Sequence, residues 1–274
     1  MAVVTKRQII FERAGIFAFL VIFLFPVLWL ITTAYKPARE IFSIPPKVFD
    51  FTPTLSHFSY ILSFMDVGSL VGSSLIISIG SAILSLLLGV PAGYALARSR
   101  WRWAKGVAYF FLFIRMVPAV AALIPFYLFM RDVGLLGTWW AVIIMNTMFN
   151  CAFVTWMMFS YFRALPRDLE EAAMTDGCRP IGAFWKVAVP AARSGIIAST
   201  LFCVMFAWND FLFASFLTDL DSKPVSVALL TAYGITDVSW GAMGALAHFA
   251  TIPIVLMAFF LNRYFVQGAT NGVQ

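Results

Sequence analysis

Long apolar runs alternate with short polar links from one end of the chain to the other. A helix that crosses a bilayer needs roughly 20 mostly apolar residues. Six runs approach or exceed that length: 15–34, 67–97, 106–130, 133–162, 195–218 and 238–262. Arg115 interrupts the third and Asp210 the fifth. The predicted fold class is all-α, a polytopic membrane protein with six transmembrane helices forming one transmembrane domain over 1–274. The first run follows basic residues, as a signal peptide would. Its apolar core is too long for one and no small-residue cleavage site follows, so it is read as a span. Between the first two spans, 35–66 holds Pro37, Pro45, Pro46 and Pro53. Proline fixes the backbone and removes a donor, which predicts an extended loop with short helical pieces. That loop is either a plain connector or a cover for an outer mouth or partner.

Composition agrees with a bilayer as solvent. Of 274 residues, 62% are hydrophobic and 12% charged, half the charged share of an ordinary soluble domain. Mean hydropathy is +0.90. The net charge of +6 raises nucleic acid as a partner, but the placement of the basic residues argues against it. Lys6, Arg7 and Arg13 precede the first run; Arg98, Arg100, Arg102 and Lys105 fill the second link. Arg163, Arg167, Arg179, Lys186 and Arg193 fill the fourth link, and Arg263 follows the sixth run. All of these fall on one side of the membrane. Lys36, Arg39, Lys47, Arg131 and Lys223 are fewer and lie on the other side. Excess Lys and Arg mark the cytoplasmic side, which puts both termini in the cytoplasm.

Within the spans, Pro26, Pro91, Pro118, Pro125 and Pro253 predict bends, since each frees a carbonyl that a neighbour or a wet cavity must satisfy. The pairs Gly68–Gly72 and Gly89–Gly93 predict close helix packing. Polar groups are few: Asn146, Asn150, Asn209, Asp210 and His248. Buried ionisable groups face a cavity or a partner, so Arg115 and Asp210 either pair or line a polar passage. Asn146, Asn150 and His248 are read first as interhelical hydrogen-bond formers. Three scattered cysteines and two histidines offer no disulfide or metal pattern, and no GxxxxGK[ST], HExxH or GxSxG motif occurs. One intramembrane acid and no repeat count against an ion-coupled carrier working alone.

The exception to the apolar pattern is 165–196, a polar insert on the basic side. Pro166 suits a first helical turn, and Asp168, Glu170 and Glu171 crowd the positive end of the helix dipole. Leu169, Ala172 and Ala173 make a small apolar face, and Gly177 supplies a left-handed terminator. A second amphipathic piece, 181–189, leads to Pro190. A lipid-lying helix would carry large apolar residues flanked by Lys. This one is acidic with an alanine face, which points to docking in a protein groove.

Glu171-Ala172-Ala173, followed by Gly177 and by Val187-Ala188-Val189-Pro190, resembles the EAA loop of ABC importer permeases. The Val pair, Cys178 after Asp176-Gly177, and Ser194 in place of a second proline are departures from that family's pattern. Gly93-Tyr94-Ala95-Leu96-Ala97-Arg98, Ile124-Pro125-Phe126-Tyr127, Gly134-Leu135-Leu136-Gly137-Thr138-Trp139 and Ala207-Trp208-Asn209-Asp210-Phe211 resemble segments of its carbohydrate-type, maltose-permease-like members. The resemblance implies the ABC importer type I permease fold, with 165–190 as a cytoplasmic coupling loop. It implies half of a translocation pathway for a sugar or sugar-like solute, with another small polar solute as the alternative. The implied partners are a second homologous permease, two copies of a cytoplasmic ATPase and an extracytoplasmic solute-binding protein. The implied location is a bacterial inner membrane, with no cofactor and no catalytic chemistry in this chain. ATPase coupling then falls to Glu171, Ala172, Ala173, Asp176, Gly177 and Pro190, with Glu171 as a polar anchor. Pathway candidates are Asn209, Asp210, Asn146, Asn150 and Tyr127.

Overall fold

A computed structural model of the chain describes residues 6–231 and 239–270. In chain order its helices are α1 (Lys6–Tyr35), α2 (Ala38–Ile41), α3 (Ser56–Phe64), α4 (Val67–Arg98), α5 (Ala104–Ile114), α6 (Ala119–Asp132), α7 (Trp139–Ala164) and α8 (Asp168–Thr175). Then come α9 (Pro180–Ala183), a π-helical turn Phe184–Ala188, α10 (Val189–Ala191), α11 (Arg193–Trp208), α12 (Leu212–Leu217), α13 (Val225–Thr231) and α14 (Trp240–Thr270). Among the described residues the regular structure is helical, with an isolated parallel bridge between Gly137 and Thr218. Stretches of α1, α4, α7 and α14 are each long and apolar enough to cross a membrane, and two bent helix pairs raise the number of candidate spans to six. This is a multi-pass membrane protein. Val238, at the start of the sixth predicted span, and the last four residues of the tail, 271–274, lie outside the described residues.

Three predicted spans differ from the helices found. The run 106–130 is not one rod: α5 ends at Ile114 and α6 restarts at Ala119 after an 85° bend. Pro118 causes the break, because it has no N–H to donate and disfavours helical geometry at the residue before it. The run 133–162 becomes helical only at Trp139, because Gly134 and Gly137 hold left-handed backbone with φ of 72° and 82°. The run 195–218 stops at Trp208 and resumes at Leu212. The side chain of Asp210 starts the new helix by accepting from the Phe213 N–H at 3.1 Å, as a helix N-terminus requires.

The chain divides into two compact units, one made of the N-terminal residues up to Val67 with Leu229–Thr251. Here α1 exposes Ile16, Phe17, Leu20, Phe23, Val27 and Ile31, as lipid solvent demands. The residues after it are tied down. Lys36 is 1% exposed, with its ammonium 4.1 Å from the centre of the Trp29 ring, a cation–π contact. Loss of water lowers the Lys36 pKa, and His57 Nε2 lies 2.9 Å from the Lys36 carbonyl. His248 does not make the expected interhelical hydrogen bond. Its Nδ1–H donates to Gly244 O, one turn back in α14, at 2.7 Å. Its ring stands edge-on to Tyr35 and Phe58 at 5.6 and 5.4 Å.

In the other unit, Gly68–Ala228 with the chain from Ile252 onward, α7 is the hub. It packs against α5, α11 and α12, and α4 comes close along its side. A Cβ at Gly89 would stand 2.7 Å from Val154 Cβ. One at Gly93 would stand 2.8 Å from the backbone of both Thr155 and Phe159. These two glycines are what let the helices touch; Gly72 has open space instead. Ser74, Ser78, Ser81 and Ser85 form a buried stripe on α4. Their hydroxyls donate to Leu70 O, Ser74 O, Ser78 O and Ser81 O at 2.6–3.1 Å, so their protons are spent within the helix, while Ser74 Oγ also accepts from the Val225 N–H at 2.8 Å.

Candidate functional site

The polar insert folds as a short helix with a turn of defined geometry behind it. In α8, Asp168, Glu170 and Glu171 lie in the first turn. The C-terminus closes as a Schellman motif: Cys178 N–H donates to Ala173 O at 3.0 Å and Gly177 N–H to Met174 O at 3.1 Å. Gly177, at φ 91°, supplies the left-handed residue that this closure needs. Nothing lies within 4 Å of where its Cβ would be, so the requirement there is conformational rather than steric.

A guanidinium and a phenol hydroxyl tie this helix to the bundle through Glu170. Arg98, the last residue of α4, donates from Nη2 to Glu170 Oε1 at 2.6 Å and from Nε at 3.0 Å. Its Nη1 donates to Phe162 O in the last turn of α7 at 2.8 Å. Tyr94 OH donates to Glu170 Oε2 at 2.8 Å. The ends of α4 and α7 and the start of α8 are thereby joined through one planar, many-donor group, which Lys does not replicate. The Glu170 and Arg98 side chains are 9% and 14% exposed. Breaking a buried pair of this kind by removing one partner costs about 3–5 kcal/mol. Below the pair, Tyr94, Phe162 and Phe184 pack ring against ring at 4.6–6.3 Å. Phe184 opens the π turn, where Val189 N–H reaches back to Phe184 O. Pro190 has no N–H to continue a regular ladder, and the wider turn accommodates its ring.

The sequence reading makes Glu171 the polar anchor. In the structure Glu171 is exposed, and its neighbour Glu170 turns inward. Leu169, Ala172, Asp168 and Asp176 are exposed as well, and Ala173 is half-buried. The outward surface of α8 is therefore acidic and shallow, and its rear is clamped.

The pathway candidates divide. Asn146 and Asp210 meet, with Asn146 Nδ2 donating to Asp210 Oδ2 at 3.0 Å. Asp210 also starts α12, and its carbonyl accepts from Ser226 Oγ at 2.8 Å. Asn150 bridges helices by donating to Cys203 O at 3.3 Å, whereas Asn209 is exposed and donates within α11 to Met205 O at 2.8 Å. Tyr127 packs against an apolar cluster that includes Phe126 and Met130. Arg115 and Asp210 do not pair. The guanidinium lies 4.2 Å from the Phe206 ring and 5.2 Å from Phe153, because those aromatic faces are the surfaces that α7 and α11 present to it.

Residues 89–271 match the family model described as the binding-protein-dependent transport system inner membrane component. The chain belongs to this family. The probable ABC transporter permease protein y4oR of Sinorhizobium fredii is 34% identical over 92% of this chain and 90% of its own length. The trehalose transport system permease protein of Mycobacterium tuberculosis is 32% identical over 91% of each. A solved structure of a bacterial ABC transporter involved in the import of the acidic polysaccharide alginate contains a chain of the same fold. It aligns with a TM-score of 0.78 over 97% of this chain and 100% of that one, at 23% identity. This protein is thus a permease subunit of a binding-protein-dependent importer.

Two residues central to the geometry of this permease escaped the sequence reading of the coupling loop. Arg98 counts there as a topology charge and as the end of the segment Gly93–Arg98 that resembles the carbohydrate-type permeases, and Glu170 as a first-turn acid; neither is read as a partner of the other. The available signal is weak: on a helix this short, adjacent acids at 170 and 171 point about 100° apart, and nothing local says which one turns inward.

Proposed function

We propose that this permease lines half of a translocation pathway for a sugar or sugar-like solute and transmits the stroke of a separate cytoplasmic ATPase through α8. The carrying observation is the asymmetry of α8, clamped behind through Glu170 and Arg98 and open in front through Leu169, Ala172 and the acids Asp168, Glu171 and Asp176. A force on the open face passes to the ends of α4 and α7 without a flexible link. In this reading 165–190 lies in the cytoplasm with both termini, and the apolar runs begun at 15, 67, 106, 133, 195 and 238 are the six spans. Glu171, Ala172, Ala173, Asp176 and Gly177 form the docking surface, and Pro190 ends the loop. A second homologous permease completes the pathway, two ATPase copies dock on the two α8 helices, and an extracytoplasmic binding protein delivers the solute. The ATPase hydrolyses ATP, and this chain needs no nucleotide site. Similarity to the trehalose permease supports the sugar class. Asp210, Asn146, Asn150, Asn209 and Tyr127 are the proposed pathway residues, with Asp210 and Asn146 also holding the helix break.

Cysteine crosslinking and coupled assays test this. A cysteine at Ala172 is expected to capture the ATPase in the assembled importer. Gly177→Asp, or a bulky residue at Ala173, is expected to abolish solute uptake and solute-stimulated ATP hydrolysis while membrane insertion survives. Normal coupling in both variants, or transport by the purified chain without partners, overturns the proposal.

A further inference from the structure

A second feature at the end of α4 has a different chemistry. A half-open cavity of about 450 Å³ is bordered by the last turns of α4 and α7, the link 99–103, the start of α5 and the link from α7 to α8. Arg98, Arg102, Lys105, Arg163 and Arg167 line it together with Trp101, and no Asp or Glu is among its lining residues. Glu170 takes up the charge of Arg98. Among the described residues the other four cations enter no ion pair. Three of them lean on aromatic faces instead: Arg102 on Trp103 at 5.0 Å, Lys105 on Tyr109 at 5.9 Å and Arg163 on Phe159 at 5.7 Å.

Like charges gathered in one concavity repel unless a counter-anion enters. The volume is that of a small-ligand site. Its place, where two spans end, is the depth at which hydrocarbon gives way to headgroups, and basic pockets between spans at this depth select phosphate-bearing lipids. Trp101 and Trp103, each 57% exposed, are the amphipathic rings that settle at that depth. Leu96, Ala97 and Phe159 supply an apolar wall. A protein partner fits less well. The neighbouring open face of α8 is acidic, so one docked surface would have to reverse its charge within a few residues.

We propose that this cavity binds the phosphate headgroup of an anionic membrane lipid, here taken as phosphatidylglycerol. The site shares Arg98 with the α8 joint but includes none of the proposed docking residues of α8, and the variants that test it leave Arg98 in place, so either reading can fail without the other.

The assembled importer in nanodiscs of mixed phosphatidylcholine and phosphatidylglycerol tests it, with retained lipid counted by mass spectrometry after repurification. Wild type is expected to enrich phosphatidylglycerol. The triple variant Arg102→Gln, Lys105→Gln, Arg163→Gln is expected to lose that enrichment by about tenfold or more. The charge-keeping triple variant Arg102→Lys, Lys105→Arg, Arg163→Lys is expected to retain it. If the neutral triple variant does not assemble, Arg163→Gln alone is expected to lower enrichment several-fold. Equal retention in wild type and the neutral variants overturns the proposal. So does displacement of the lipid by millimolar inorganic phosphate, which would make this a free-anion site, or a photocrosslinker at 105 that captures the ATPase rather than lipid.

Discussion

Glu170 and Asp210 are both carboxylates in places where water is scarce, and the chain satisfies them in opposite ways. Glu170 meets a cation: Arg98 grips both of its oxygens and reaches on to Phe162 O. Asp210 meets neutral donors, the Asn146 amide and the backbone N–H groups of Phe213 and Ala214, although Arg115 lies in the same unit. The first arrangement fastens three helix ends that no backbone ladder connects. The second restarts a broken helix and ties it to α7. A charged partner suits a joint at the rim, where residual water softens the cost of desolvation; neutral donors suit the span, where a second buried charge adds to that cost. One acid is therefore read as a mechanical joint and the other as a local organiser of α12.

Removing the joint is expected to have the largest effect. Glu170→Ala leaves the part-buried Arg98 without its carboxylate, a loss of about 3 kcal/mol, the low end for a buried pair, seen as a lowered thermal midpoint of the detergent-solubilised complex and as lost uptake. Arg98→Lys keeps the charge but loses the fork, and uptake is expected to fall nearly as far. If Arg98→Lys behaves like wild type, the joint is a charge and not a clamp. Asp210→Ala strands two donors and is expected to cost about 1–3 kcal/mol in the same melting measurement. Asp210→Asn keeps an acceptor for the Phe213 N–H and is expected to assemble with a smaller loss of stability and a measurable drop in transport. Smallest of all, a double-mutant cycle between Arg115→Met and Asp210→Asn is expected to show coupling within about 0.5 kcal/mol. Larger coupling would mean that the two side chains pair in another state of the transport cycle and that the contrast drawn here holds in one conformation only.

The sequence carried the coarse architecture well, because bilayer length and apolar periodicity leave few options. It also carried the close contacts of Gly89 and Gly93 and the left-handed turn at Gly177, each of which has a local physical cause. It missed what depends on tertiary choice. Pro118 foretells a bend in the run 106–130, but nothing local gives its size of 85°, because hydropathy counts composition without regard to direction. Asp210 reads as a partner of Arg115 or a lining of a polar passage, because nothing local points to Asn146, 64 residues away. Arg98 and Glu170 are 72 residues apart, and neither belongs to a motif that announces the other. The serine stripe of α4 leaves only a faint trace, since serine in an apolar run scores as a mild interruption rather than as a face.

That stripe bears on how the bundle can move. Ser78, Ser81 and Ser85 spend their protons on carbonyls of their own helix, so a neighbour gliding along this side of α4 would not have to tear those bonds. Dispersion then carries the contact, with no directional bond to break before the surfaces shift. The stretch from Ser78 to Ser85 would then offer little polar resistance to such a shift, with the firm grips at Ser74, which accepts from the Val225 N–H, and at the guanidinium of Arg98.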